Sequence, residues 1–124
     1  MRPWWRLADR VYLQTIVHAE LPPQCGCGPG LELPHAGRGV VFHHSARLGE
    51  DLRVYHRVTI GGRDDLAPSI GDGVSIGTGA FVFGRIEVGD HVQIGANAVV
   101  VKDVEPWATV AGVPAKVVRV SRPE

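Results

Sequence analysis

The sequence predicts an all-β protein that winds as a solenoid of short strands. An apolar pattern with a period of six, glycines at a fixed place in that period, and two longer units that interrupt it all point this way. Read in sixes from Ile70, the chain runs IGDGVS, IGTGAF, VFGRIE, VGDHVQ, IGANAV, VVKDVE. The first residue is always Ile or Val, and the fifth is always Val, Ala or Ile. In a chain with 44% apolar residues, twelve apolar residues in twelve slots would arise by chance about 5 times in 100,000. A period of six fits neither a helix nor simple strand alternation, so each unit is read as one short strand and one tight turn.

From the N-terminus, residues 2–19 carry apolar side chains at Trp5, Leu7, Val11, Ile16 and Val17, roughly at helical spacing, with no glycine. This predicts a helix, assigned with residues 1–20, that covers the first coil and shields its strand edges. Trp4 and Trp5 beside Arg2 and Arg6 are read as cap or oligomer contacts in preference to a membrane contact. The repeat domain is expected over residues 21–120. Its units begin at Leu21 and Cys27, pass through a longer unit from Leu33 to Val41, and continue at Phe42, Leu48 and Val54. A second longer unit runs from Ile60 to Ser69, and PWATVA from Pro106 closes the series with Val110 inward. First and fifth residues are expected to stack into one apolar column, with Cys25 and Cys27 as small core residues. Glycine recurs at the second position, at residues 28, 49, 61, 71, 77, 89 and 95. It suits a corner of unusual φ or one with no room for a side chain. AGVPAKVVR is read as extended chain leaving the solenoid, with the last four residues frayed.

Composition narrows the function. Thirteen basic and thirteen acidic residues balance, which argues against nucleic acid or an anionic membrane as a partner. No apolar run reaches the ~20 residues of a membrane span. Asp9 and Arg10 interrupt what would be the apolar core of a signal peptide, so a cytoplasmic location is expected. The two longer units are where chemistry is expected to sit, because a regular repeat does not need them. The first holds His35, in LPHAGRGVV. An imidazole, with its ordinary pKa near 6.5, can take and return a proton at neutral pH.

The stretch from Glu20 to Gly62, the hexads that follow it, and AGVPAKVVR resemble the serine acetyltransferases and their short relatives among the hexapeptide-repeat acyltransferases. LPH, VTIGG and AGVPAK occur in that order, and the resemblance covers about 100 residues. It implies a left-handed parallel β-helix with three units per coil and a homotrimer that buries one prism face per protomer. It also implies transfer of an acetyl group from acetyl-CoA, as co-substrate, to a hydroxyl or amine of a small polar acceptor. His35 takes the place of the general base. Glu20, fifteen residues upstream, takes that of the carboxylate that orients it; read from the residues alone, Glu20 is a solvated helix end. The resemblance places the donor against Gly61, Gly62, Thr78, Ala80, Ala96 and Lys116, with Trp107 as a lesser candidate for adenine. Pro34, Leu66 and Ala67 replace the Asp and the Arg-His pair that recognise serine in the family, so an acceptor other than serine is expected. Arg63, Asp64 and Asp65 of the second longer unit either contact that acceptor or are surface charge. No metal is expected: the histidines 35, 43, 44, 56 and 91 lack the spaced pair of the zinc enzymes with this repeat. The alternative reading is a non-catalytic β-helix scaffold or regulatory subunit.

Overall fold

A computed structural model describes residues 26–123. The expected helix over residues 1–20, Glu20 and Cys25 lie outside the described residues. Among the described residues, thirteen strands form three sheets. The first sheet holds β1 (Gly26–Cys27), β3 (Arg47–Leu48), β6 (Ser69–Ile70) and β9 (Glu87–Val88). The second holds β4 (Arg53–Val54), β7 (Ser75–Ile76), β10 (Gln93–Ile94), β12 (Ala108–Ala111) and β13 (Lys116–Val120). The third holds β2 (Val41–Phe42), β5 (Thr59–Gly61), β8 (Phe81–Phe83) and β11 (Val99–Val100). From β3 to β11, successive strands step from one sheet to the next. Three hexads therefore make one turn of a three-sided prism, as the resemblance implied. Equivalent strands of successive coils pair in parallel, for example Val54 with Ile76 and Ile76 with Ile94. Their amides are satisfied by the coil alongside, as in Arg53 N–H to Val74 O at 3.0 Å and Ser75 N–H to Val92 O at 3.0 Å. No described helix is long and apolar enough to cross a membrane.

The six-residue period becomes the core. All twelve slots counted from Ile70 are buried, from Ile76 at 0% to Val104 at 8% exposure. Phe42, Ala46, Leu48, Leu52, Val54, Val58 and Ile60 continue the column through the earlier coils. Each buried Ile or Leu contributes about 1.5–3 kcal/mol. Outward side chains differ from sheet to sheet, with Arg47, Ser69 and Glu87 in register on the first and Arg53, Ser75, Gln93 and Thr109 on the second. The third presents Val41, Thr59, Phe81 and Val99.

The corners explain the glycines. None of the seven second-position glycines has a positive φ; that conformation falls on fourth positions, at Asp51, Gly73 and His91. What the second position needs is closeness. A Cβ on Gly77 would lie 2.6 Å from the backbone N of Ala96 in the next coil. Carboxylates tie the same corners together: Asp72 accepts from Glu50 N–H, and Asp90 from Asp72 N–H, both at 2.8 Å.

Three expectations need correction. Cys27 is exposed, because β1 is paired only to β3 among the described residues and so lies at the end of the column. Pro106 does not open the last unit. Val104 bridges Val88, so the coil is shortened by two residues; Ala108 and Val110 then fall inward and Pro106 is exposed. The C-terminal segment does not leave the prism. It turns back as β13, antiparallel to β12, and Ser121 N–H bonds Trp107 O at 2.9 Å.

Candidate active site

The first bulge leaves the prism between Glu32, which bridges Arg53, and β2. Pro34–Gly37 form a 3-10 turn in which His35 (φ 60°, ψ 32°) and Ala36 (φ 60°, ψ 21°) are left-handed. For residues with a Cβ this costs about 1–2 kcal/mol each, and such strain tends to collect at functional sites. Gly37 is buried with φ 68°; a Cβ there would meet Leu33 Cδ1 at 3.2 Å. The turn therefore closes against the column while His35 projects into solvent. Its ring meets His56 edge to face, with centroids 4.8 Å apart and planes at 73°. His56 is half-buried, and its Nδ1 is enclosed with no hydrogen-bond partner among the described residues.

His56 heads a line of third-position residues. The register that aligns Val54, Ile76 and Ile94 also aligns His56, Thr78 and Ala96 on one corner of three successive coils. Their carbonyls hold the coils together: Gly79 N–H bonds His56 O at 3.1 Å and Asn97 N–H bonds Thr78 O at 2.8 Å. At a coil spacing of about 4.8 Å, the line descends some 10 Å from His56. Below Ala96, Gly95 lies beside Ala111, and Ala111 pairs with Lys116. The AGVPAK turn is docked there by Val99 N–H to Gly112 O at 3.0 Å and Ala115 N–H to Val99 O at 2.8 Å. Thr78, Ala96 and Lys116 thus follow one another below His35, as small exposed or half-exposed residues and then an exposed cation.

The other expected donor contacts are placed differently. Gly61 closes β5 and Gly62 follows it, on the opposite edge of the third sheet beside the second bulge. A Cβ on Gly61 would press on Phe83 at 3.0 Å, and one on Gly62 would strike Leu66 O. Ala80 faces inward: its side chain is 1% exposed in the core, its N–H bonds Gly77 O and its O accepts from Thr59 N–H. Trp107 stacks on His91 at 4.2 Å, on the corner between the first and second sheets and away from the line under His35.

The second bulge is a small hairpin in which Arg63 and Leu66 exchange backbone hydrogen bonds of 2.9 Å. Asp65 reaches back to His44 at 3.5 Å. His44 also stacks on His43, whose Nδ1 accepts from Ser45 N–H at 3.0 Å. A shallow polar cleft with Arg47, Asp65, Arg85 and Asp103 in its lining shares no residue with the His35 corner. On the second sheet, the side-chain hydrogen bond to Glu32 holds the Arg53 guanidinium above its ordinary pKa. Among the described residues, no group of three His, Cys, Asp or Glu side chains is placed to hold a metal.

Sequence reasoning did not single out His56 as a site residue. With His43 and His44 it points outward, in the third slot of its unit, where it could line the site or be an ordinary surface histidine. The signal was available in the register. Leu33 and Val54 are first positions of equivalent units on adjacent coils, so a bulge opening at 34 emerges directly over residue 56.

No protein-family model matches the chain. It is 40% identical over 116 residues to the serine acetyltransferase of Mycobacterium tuberculosis, covering 90% of this chain and 50% of that protein. A crystal structure of Neisseria gonorrhoeae serine acetyltransferase in complex with serine superposes with a TM-score of 0.81 at 37% identity, covering 92% of this chain and 53% of the other. A serine acetyltransferase in complex with CoA superposes with a TM-score of 0.79, also at 37% identity, covering 92% and 47%. The chain spans about half the length of the curated relatives it matches. The three-sided prism and these neighbours agree on a hexapeptide-repeat β-helix of the left-handed kind.

Proposed function

We propose that this chain, a hexapeptide-repeat β-helix homologous to the serine acetyltransferases, is an acetyl-CoA-dependent acetyltransferase acting on a hydroxyl or amine of a small polar acceptor. One observation carries the reading: His35 projects from a strained turn at the head of a descending line of small residues that ends at a lysine. That arrangement suits a base placed where an extended thioester would present its carbonyl.

In the proposed reaction, His35 accepts the proton of the acceptor hydroxyl as its oxygen attacks the acetyl carbonyl. The tetrahedral intermediate collapses, the carbon–sulfur bond breaks, and the proton held on His35 goes to the departing thiolate. Glu20 is proposed to orient the imidazole and stabilise its cation. Such a base contributes about 10²–10⁴-fold. Thr78 and Ala96 let the donor's arm approach the backbone of the corner, and Lys116 meets its phosphates. Gly61 and Gly62, on the far edge of the third sheet, complete the groove only if a second copy brings that edge alongside. This fits the apolar outer face of that sheet and supports a homotrimer with the donor between protomers. Leu66 and Ala67 leave the second bulge without the cation and imidazole of the serine enzymes, which favours an acceptor other than serine.

The test is thiol release from acetyl-CoA across a panel of amino acids, sugars and amino-sugars. Turnover that is lost in His35→Ala, with an unchanged circular dichroism spectrum, supports the reading. Full activity in His35→Ala overturns the mechanism, and no turnover with any acceptor favours the scaffold alternative.

A further inference from the structure

The observation the mechanism does not use is His56. Corner residues at this slot need no imidazole, since the two coils below carry Thr78 and Ala96 at the same register position with their strands paired in the same way. A histidine here is also an unfavourable choice for the fold. Its Nδ1 is enclosed and lacks a partner among the described residues, and an enclosed unpaired polar atom destabilises a folded chain. What the ring does contact is His35, edge to face at 4.8 Å.

We infer that His56 is a positioning residue for His35. The two rings differ in how they are held. His35 stands on an exposed turn, whereas the His56 backbone is pinned to the coil below through its carbonyl. An exposed imidazole samples several rotamers, and a rigid ring against its flank removes those that point away from the groove. A base held in one orientation spends more of its time within reach of the acceptor proton. The ring thus places an aromatic wall where the coil alone would accept threonine or alanine.

The inference rests on the acetyltransferase reading for its kinetic consequence, but not for the ring contact. His56→Ala and His56→Phe are compared with the parent chain in thiol release from acetyl-CoA, with L-serine and the amino-sugar panel as acceptors. The alanine variant is expected to lower kcat 10–100-fold with KM for acetyl-CoA within twofold. The phenylalanine variant, which keeps the wall and removes both nitrogens, is expected to recover kcat to within about threefold. Both are expected to stay folded, with circular dichroism unchanged and melting temperatures within a few degrees of the parent chain. In parallel, the ring-carbon proton signals of His35 are followed by NMR. Loss of the neighbouring ring current should move them in His56→Ala, and His56→Phe should keep them displaced. An unchanged kcat in His56→Ala, or no recovery in His56→Phe, overturns the inference. If the parent chain releases no thiol with any acceptor, the acetyltransferase reading fails instead. The positioning claim is then decided by the NMR signals: if they stay unmoved in His56→Ala, it is overturned too.

Discussion

His35 and Ala36 sit at φ 60° on the same turn, a conformation the rest of the bulge has to enforce. Pro34 restricts the entry and Gly37 closes the exit, so the strain is held by residues that do no chemistry. Removing the imidazole should therefore leave the fold alone. His35→Ala is expected to lose 10²–10⁴-fold in kcat, with a melting temperature within a few degrees of the parent, checked by thiol release and differential scanning calorimetry. Of the two histidines in contact, the sequence pointed to the one in the irregular unit. The other occupies a regular slot, and its importance comes only from what lies above it.

Each hexad is a strand of two or three residues that could not stand alone. It persists because its amides bond the coils on either side and its first and fifth residues join a common column. The second-position glycines belong to this stacking. Gly77→Ala would push a methyl into the Ala96 backbone, and such overpacking is expected to cost about 1–3 kcal/mol, read as a fall in the urea midpoint. Thr78 is half-exposed on the same corner and is not one of the core residues. Thr78→Phe is expected to raise KM for acetyl-CoA at least tenfold while leaving the melting temperature unchanged. An unaltered KM would remove the corner line as the donor's path. Ala80, two residues on at the same corner, faces the core instead, because the fifth slot points inward.

The three faces of the prism differ in chemistry. Charged and polar residues cover the first, and the second apart from β13, whose Val117, Val118 and Val120 are exposed, while Val41, Phe81 and Val99 mark the third, with Phe81 stacked on Phe83 at 5.4 Å and Val101 45% exposed. An apolar strip of this kind, next to polar faces, marks an interaction surface. If it is the proposed trimer contact, Phe81→Glu should lower the mass measured by light scattering to that of a monomer. Its circular dichroism should be unchanged, because the inward residue of that strand is Val82. Thiol release should fall with the mass, since the groove would lose the partner's edge. A variant that keeps the parent mass would place the interface elsewhere.

The period of six alone specified the solenoid, the inward slots and the two places where the coil is interrupted, because stacking the same side chain at the same place on each coil leaves a linear trace in the sequence. It also assigned His35 to the first interruption. It did not reveal the two-residue shortening before Val104, since Val104 is apolar in either frame and only pairing with Val88 decides which slot it fills. The return of β13 along β12 was equally hidden, because an extended segment reads the same whether it departs or pairs. Only the folded chain showed that the His35 and His56 rings meet, although the register of Leu33 with Val54 already set the bulge over residue 56, and only it set Gly61 and Gly62 on the edge opposite Thr78. Those relations depend on how coils stack and on which corner a bulge emerges from, and contacts between residues twenty or more apart carry no local pattern.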